Sequence, residues 1–389
     1  MNEKSAKLKS LLKFIFILLV IFLVGGVGGV YVEQRILPII RTNKYLSRID
    51  FLKHSAENVT VINKTEQVTI KEDDSINEIA SQASNAVVNI ISLGAKKDLS
   101  GRPITSADQS GTGFIATSDG VIVTYRTSII EKGTAYKVLL FNGNSYDAKL
   151  IGIDEFSNLA FLKIEATNLT AISFADSDNV HPGKKLVAIG NSFGEYQDRY
   201  AAGLLSNIDK TYNLAGKTVS STEKLEGVFE SDFIGQEEYI GGPLIGYSGD
   251  MVGLEGSVVI DSQDKYFQIP ANMIQKALDL MLTEGREMRP FFGAYYISIT
   301  KEYAIAHNLN REKGAIIFSP SGNQGLALIF GSPAEKAGLR INDIVLTVGD
   351  KEVNINNPLS NLINEHKKGD TIELGVDRSG KEIKISVQL

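Results

Sequence analysis

The sequence contains few side chains of the kinds that carry covalent or metal chemistry. It has no cysteine, which excludes thiolate nucleophiles, disulfides and thiolate metal ligands. Its histidines are His54, His181, His307 and His366, and no two of them have the spacing of a metal-binding pair such as His-Glu-x-x-His. We therefore expect neither a metal site nor a cofactor.

Length and charge narrow the class of protein further. With 389 residues the chain has room for two or more domains after an N-terminal targeting segment. Its net charge of −6 argues against nucleic acid as a partner, because a nucleic-acid binder needs a basic surface.

An apolar run near the N-terminus, residues 14–32, contains no charged side chain and is long enough to span a bilayer as a helix. We expect an uncleaved transmembrane helix, with residues 1–13 as a cytoplasmic N-terminus. A cleavable signal peptide is the alternative, because small residues between Gly25 and Gly29 could precede a cleavage site. Basic residues lie on both sides of the run, so charge alone does not fix its orientation. Residues 33–74 lack sustained periodicity and are expected to form a stalk or linker.

The middle of the chain, from about residue 85 to 265, has the pattern of short strands joined by tight turns. Ser118-Asp119-Gly120 and Asn142-Gly143-Asn144 are hairpin turn signals between apolar runs. Many such strands favour a barrel or a sandwich. A capping-box pattern from Ser75 to Glu78 predicts a helix before the first strand. The apolar spacing within residues 270–285 predicts another helix after the last one.

The last hundred residues have the pattern of a separate small α/β unit. Ser332-Pro333-Ala334-Glu335 is a helix start, with an N-cap serine and proline at the first helical position. A second helix is expected over residues 359–368, and a closing hairpin around residues 378–380.

Seven segments in a fixed order then suggest a family. They are GTGFIATSDGVIVT, IGIDEFSNLAFLKI, LVAIGNSFG, GLLSNIDK, ESDFIGQEEYIGGPL, IPANMIQKALDLMLTEGREMRPFFGAY and FGSPAEKAGLRINDIVLTVGDKEV. From about residue 76 to the C-terminus the chain resembles the HtrA/Deg family, whose members are trypsin-like serine proteases with PDZ domains. The resemblance implies a mainly β architecture: a trypsin-like double β-barrel over residues 75–285, followed by an α/β PDZ domain over residues 286–389.

The resemblance also implies where a catalytic triad would lie. A serine protease needs a serine nucleophile, a histidine base and an aspartate that orients the histidine. The histidine position falls on Thr127, the aspartate position on Asn158 and the serine position on Ile240. Glu238 stands where the family has a glycine whose amide helps to bind the oxyanion. Isoleucine has no nucleophilic atom and threonine is no base near neutral pH, so we expect no catalytic residue at these positions.

The resemblance further implies a peptide-binding groove in the PDZ domain. A PDZ domain adds a peptide C-terminus as a strand at a sheet edge and holds its carboxylate with loop amides. The positions that match are, in the loop, Phe291, Phe292, Gly293 and Ala294; in the strand, Tyr295, Tyr296 and Ile297; and on the helix, Leu359, Leu362 and Ile363. The alternative for the apolar members is a purely structural place in the core.

These patterns predict a membrane-anchored pseudoprotease that binds unfolded or C-terminal peptide segments without cutting them. It would act as a scaffold, a chaperone-like factor or a regulator in protein quality control. One alternative is a serine endopeptidase with an unrecognised site, although Ser128 and Asp154 are more simply read as turn and strand-end residues. Another is a structural envelope protein without a peptide ligand.

The expected location is a bacterial-type cell membrane, crossed once, with the bulk of the chain extracytoplasmic. The resemblance implies a homo-trimer or a mixed assembly with an active paralogue.

Overall fold

The structure is a computed structural model. It describes residues 3–32, 35, 72–94, 96–97, 103–104, 108–131, 135–191, 198–216, 219–260, 262–283, 289–321 and 326–389. The chain divides into two units, Met1–Thr69 and Ile70–Leu389. Most of the predicted stalk, residues 33–74, lies outside the described residues.

The described part of the first unit forms a long helix, α1 (Glu3–Tyr31). Within it, Lys13–Tyr31 is 19 residues long with a mean hydropathy of 2.6, and none of it is buried. By length and composition this segment could cross a bilayer. The predicted apolar helix is therefore present, and both a membrane anchor and a signal sequence fit it.

The second unit begins with helix α2 (Glu72–Ser84), followed by the first of two closed barrels. Ser75 lies inside this helix, so the prediction of an N-cap at Ser75 was wrong: the helix starts three residues earlier, at Glu72. The strands of the first barrel are β1 (Val87–Leu93), β4 (Asp108–Ile115), β5 (Val121–Tyr125), β6 (Ala135–Leu140), β7 (Ser145–Asp154) and β8 (Leu159–Ile164). Around the barrel they run β1-β4-β5-β8-β7-β6, and β6 pairs with β1 to close it. Two short strands, β2 (Lys96–Lys97) and β3 (Pro103–Ile104), pair with each other beside it.

Both predicted hairpin turns are present in this barrel. The first joins β4 to β5 through Gly120, which has a φ of +99°. A side chain at Gly120 would lie 2.6 Å from the carbonyl oxygen of Ile164, so both the conformation and the space require glycine. The second turn joins β6 to β7 through Gly143, whose φ is +84°.

The second barrel is closed in the same way, in the order β10-β12-β15-β14-β13-β9. Its strands are β9 (Lys185–Gly190), β10 (Arg199–Asn213), β12 (Glu226–Ser231), β13 (Pro243–Gly246), β14 (Met251–Ile260) and β15 (Gln263–Pro270). Helix α3 (Ala271–Thr283) follows it, as the periodicity predicts. A hydrophobic core with residues from both barrels, including Tyr125 and Phe267, joins them.

The described residues of the C-terminal domain form a sheet and three short helices. Its strands are β16 (Tyr295–Ser298), β17 (Ala315–Ile317), β18 (Ile344–Val348), β19 (Lys351–Glu352), β20 (Thr371–Arg378) and β21 (Lys381–Gln388). Its helices are α4 (Lys301–Ala306), α5 (Pro333–Lys336) and α6 (Leu359–Ile363). Ser332 caps α5 as predicted, by accepting a hydrogen bond from the amide of Glu335. The helix predicted over residues 359–368 was too long, because α6 ends at Ile363 and a turn follows it.

One strand of this sheet comes from elsewhere in the chain. Strand β11 (Ser220–Ser221), from the connection between β10 and β12, pairs antiparallel with β16. The sheet order is therefore β11-β16-β17-β18-β20-β21, with β19 paired to β18. A segment of the barrel region thus extends the edge of the C-terminal sheet.

Candidate functional site

Ile240 occupies the centre of the loop that the sequence marks as the nucleophile position. Its half-buried side chain packs against the core that joins the barrels, and its carbonyl accepts a hydrogen bond of 3.2 Å from the Ser128 hydroxyl. Gly241 follows with a φ of +84°, and a side chain there would lie 2.3 Å from the carbonyl oxygen of Thr112. The loop is thus held by close backbone packing, with an apolar side chain where chemistry would need a nucleophile.

Glu238 lies in a 3-10 turn formed by Gln236–Tyr239. Its backbone amide donates to the carbonyl of Gly235 at 3.0 Å, and its carboxylate pairs with Arg199 at 2.8 Å. An oxyanion hole needs free amides that point to one spot. Here the Glu238 amide is committed to the turn, and its carboxylate would repel a developing negative charge.

The resemblance assigns the histidine and aspartate positions to Thr127 and Asn158, which lie in turns next to strands of the first barrel. Thr127 is exposed in the turn Arg126–Ser128, directly after β5. Asn158 has a φ of +55°, a conformation that asparagine tolerates better than most residues, and its carbonyl accepts from the Arg126 amide at 2.8 Å. Its side-chain oxygen accepts from Nζ of Lys224 at 2.9 Å, and its amide nitrogen lies 3.4 Å from the Tyr125 hydroxyl.

Asp154, the acidic residue nearest to Asn158 in the preceding strand, has a structural partner. Both of its carboxylate oxygens accept hydrogen bonds from Arg289, at 3.0 and 2.8 Å, and Ser157 donates to one of them. The Arg289 guanidinium also lies 4.7 Å from the ring centre of Phe156. This bidentate pair ties the first barrel to the segment that leads into the C-terminal domain.

A buried carboxyl group lies behind the altered loop. Glu255 is fully buried, and its backbone exchanges hydrogen bonds with Gly241 and Gly242. Burial raises the pKa of Glu255 well above its usual value, and a hydrogen bond from Gln268 only partly opposes this. Burial thus favours the protonated form of Glu255 over the carboxylate. Within the described residues no group of three His, Cys, Asp or Glu side chains is arranged to hold a metal ion.

A groove between β16 and α6 is the second candidate site, and it already holds a segment of this chain. After β11, Thr222 continues the strand: its amide donates to the Ala294 carbonyl at 3.1 Å, and its hydroxyl oxygen accepts from the Ala294 amide at 3.0 Å. The next residue, Glu223, accepts hydrogen bonds at Oε1 from the amides of Phe292 at 3.1 Å and Gly293 at 2.8 Å. Two loop amides thus hold a carboxylate at the end of an added strand.

Comparisons with known proteins agree with both halves of this geometry. Residues 111–254 match the model of the trypsin-like peptidase domain, and residues 309–389 match that of the PDZ domain. A probable periplasmic serine endoprotease, DegP-like, from Chlamydia muridarum is 33% identical over 280 residues, which are 71% of this chain and 53% of that protein. The serine protease Do-like HtrA of Bacillus subtilis is 28% identical over 339 residues, covering 82% of this chain and 74% of that one. The chain belongs to the HtrA/Deg family.

Solved structures of the HtrA-type protease AlgW have the same fold. The structure with a tripeptide has a TM-score of 0.64 at 22% identity, and covers 80% of this chain and 96% of that one. The structure with a decapeptide has a TM-score of 0.61, also at 22% identity, and covers 80% and 97%. The chain spans about half of the length of its Chlamydia relative.

The PDZ groove has the predicted loop and strand. Gly293 has a φ of +80°, and a side chain on it would lie 2.3 Å from Cβ of Ser332, so the loop requires glycine there. Tyr295 and Tyr296 pair with Ser221 and Ser220, respectively. On the side of β16 that faces away from β11, Ile297 pairs with Ile316 of β17.

On the helix side of the groove, the residues that contact the bound segment are not the ones that the sequence analysis predicted. Leu359, Leu362 and Ile363 are buried members of the PDZ core. The polar contacts to the bound segment come instead from Asn361, which pairs with both the amide and the carbonyl of Glu226, and from Asn364, which donates to the Thr222 carbonyl at 3.3 Å. Sequence reasoning missed both asparagines, although their spacing of three places them on one helix face.

Glu226 completes the docking of the segment and was also missed. Its buried carboxyl group accepts hydrogen bonds from the hydroxyls of Tyr296 and Ser298. Burial raises the pKa of Glu226 to about 7, and the hydrogen bonds from Ser298 and Tyr296 partly oppose this. The group therefore changes charge near neutral pH while it lies between the barrel and the PDZ domain.

Proposed function

We propose that this HtrA/Deg protein is a pseudoprotease that binds extended peptide segments through its PDZ domain and does not cleave them. It would lie outside the cytoplasm, anchored by α1, and act as a scaffold, a chaperone-like factor or a regulator. The relatives are named serine proteases. The proposed loss of cleavage therefore has to be argued from the residues of this chain.

The observation that carries the proposal is the packing of Ile240. An acyl-enzyme forms only through a nucleophilic atom, and this side chain is apolar and packs into the core. In subtilisin, loss of the catalytic serine or histidine lowers turnover by a factor of about 10⁶. Here Thr127 and Asn158 depart from the triad as well, and the Glu238 amide is bonded to Gly235.

The PDZ groove supports the binding half of the proposal. Its strand β16 pairs with an antiparallel strand, and the loop amides of Phe292 and Gly293 donate hydrogen bonds to a carboxylate. These are the two interactions with which a PDZ domain holds a peptide C-terminus. The two AlgW structures hold a decapeptide and a tripeptide.

The proposal is tested with the full chain in detergent micelles. Unfolded casein is incubated with the wild-type chain, and the products are read by mass spectrometry. In parallel, pooled decapeptides with random last four residues and a free carboxyl terminus are tested for binding, with the same peptides amidated as the control. We expect no cleavage, and saturable binding that the amidated peptides lose.

A Ser128→Ala variant separates true cleavage from contamination, since Ser128 is the hydroxyl bonded to the Ile240 carbonyl. Cleavage by the wild-type chain that this variant lacks would assign an unrecognised protease site and reject the proposal. Absence of both cleavage and peptide binding would favour a structural envelope protein.

A further inference from the structure

We propose that the PDZ groove of this chain has a resident ligand, its own residues 220–226, in which the side chain of Glu223 takes the place of a peptide's terminal carboxylate. This inference rests on the proposed function, because it names what a peptide must displace. The groove would then recognise an internal strand that ends in a glutamate.

The backbone geometry is that of a bound peptide. Ser220 and Ser221 pair antiparallel with Tyr296 and Tyr295, and the chain then runs towards the loop at residues 291–294. An antiparallel strand at this edge, with its carboxyl end at the loop, is the arrangement a PDZ ligand adopts. The segment therefore occupies the groove in the direction of a ligand.

The carboxylate of Glu223 is the second observation. Oε1 lies within hydrogen-bond distance of the Phe292 and Gly293 amide nitrogens, at 3.1 and 2.8 Å. Charge-assisted bonds from loop amides are the interactions that would hold a free C-terminus. Because the chain continues to Lys224, only a side chain can supply a carboxylate at this point.

Hydrogen bonds hold the segment near its start, at Asn213, as well as at Glu223. The side chain of Asn213 accepts from the amide of Ala215 at 3.0 Å and donates to the carbonyls of Ser221 at 3.1 Å and Lys224 at 2.9 Å. Asn213 thereby holds the connection between β10 and β12 in the loop shape that presents residues 220–223. The segment is preorganised, which raises its effective concentration at the groove over that of a free peptide.

The other side of the segment reaches the altered protease site. Lys224 donates to the side chain of Asn158 and to the carbonyl of Glu155. Consecutive residues, Glu223 and Lys224, thus contact the PDZ loop and the former aspartate position. A peptide that takes the groove would release the segment that bridges the two.

The test uses the full chain in detergent micelles and hydrogen exchange read by mass spectrometry. Glu223→Ala removes the carboxylate, and Glu165→Ala is the matched control, since Glu165 is an exposed glutamate of the first barrel. We expect the amides of residues 219–225 and 292–298 to exchange at least about tenfold faster in Glu223→Ala than in the wild type or the control. Unchanged exchange in both segments, within twofold, would overturn the inference.

A variant that preserves the shape of the side chain, and a measurement of peptide binding, separate the possible outcomes. Glu223→Gln keeps the side chain's size, and should open the groove less than Glu223→Ala but more than Glu165→Ala. Exchange at β5 checks that each variant is folded. If the segment opens and the pooled free-carboxyl decapeptides bind at least tenfold more tightly, both proposals are supported.

The two proposals fail in different ways. An open segment with no peptide binding supports the resident ligand and removes the proposed peptide-binding function. Unchanged exchange with equal peptide binding in all variants overturns the resident ligand and leaves the proposed function standing. Unchanged exchange with no peptide binding overturns both.

Discussion

The backbone amide of Gly293 donates a hydrogen bond of 2.8 Å to Oε1 of Glu223, which lies 70 residues earlier in the chain. The contact joins the carboxylate-binding loop of the PDZ domain to a connection of the second barrel. It also connects the PDZ loop with the position that the resemblance assigns to the aspartate, because Lys224 follows Glu223 and contacts Asn158.

A disulfide across β11 and β16 should lock the groove. Ser221 and Tyr295 are directly paired, and paired strand residues have the separation that a disulfide needs. The chain has no cysteine of its own, so Ser221→Cys with Tyr295→Cys reports only on this contact. We expect oxidation to abolish binding of the pooled decapeptides and reduction to restore it.

The control for this lock is Lys137→Cys with Asp147→Cys, a cross-strand pair of the first barrel. It should oxidise without any effect on peptide binding. Efficient oxidation of the control with none at the groove would contradict the paired register of β11.

Docking of the segment should weaken as pH rises from about 5 to 7.5. The pKa of Glu226 is raised to about 7 in the docked state, whereas an exposed glutamate titrates near 4.5. The docked state therefore binds more protons in this window, so its stability is fully present below about 4.5 and is lost as pH rises through 7. The shift corresponds to about 3 kcal/mol between the two limits.

Glu226→Gln is the matching variant for this pH dependence. A neutral amide can keep hydrogen bonds to Tyr296 and Ser298, whose hydroxyls face it from β16, and it removes repulsion from Asp209. Hydrogen exchange of residues 219–225, corrected for intrinsic rates, should accelerate with pH in the wild type and stay flat in Glu226→Gln. An equal slope in both proteins would assign the titration to another group.

Replacing Ile240 by serine should cost stability and should not restore reactivity. The side chain is half-buried against the core between the barrels, so Ile240→Ser should lower the free energy of unfolding by about 1 to 2 kcal/mol. Urea denaturation measures this change. Ile240→Val, which keeps an apolar contact, should lose less than about 1 kcal/mol. A gain in stability from serine would mean that Ile240 is not part of the core.

Lys224→Met should loosen the segment from the side of the barrel. It removes the charge-assisted hydrogen bond to Asn158, which is worth about 1 to 2 kcal/mol. Residues 219–225 should then exchange about tenfold faster. Lys149→Met, at an exposed position of β7, is the control and should leave this exchange unchanged. Equal exchange in the two variants would show that Lys224 does not hold the segment.

Local chemistry explains which parts of the fold the sequence predicts. Gly120 and Gly143 take backbone conformations that favour glycine, and Ser332 caps α5 with its own side chain. Each of these effects depends on only a few neighbouring residues, so each can be predicted from the sequence. Glu238 and Ile240 could be assigned from the resemblance because the segment ESDFIGQEEYIGGPL matches the family's nucleophile loop without a gap. Thr127 and Asn158 were assigned from two other matching segments.

The binding of residues 220–226 in the PDZ groove could not be predicted from local sequence. Ser220 and Ser221 carry no strand pattern, and they form β11 only because the edge of β16 lies beside them. Glu223 resembles any exposed glutamate until the fold brings it to the amides of Phe292 and Gly293. The expected lining residues Leu359, Leu362 and Ile363 belong to the core, while Asn361 and Asn364 make the polar contacts.

Labelling of the full chain with a fluorophosphonate, which reacts with activated serine hydroxyls, tests directly whether the chain is a pseudoprotease. We expect no labelled serine in the wild-type chain, because Ile240 stands at the nucleophile position and the Glu238 amide is bonded to Gly235. An active HtrA-type protease serves as the positive control. Stoichiometric labelling of one serine in the folded chain, lost on unfolding, would contradict the pseudoprotease proposal and identify the nucleophile of an active protease.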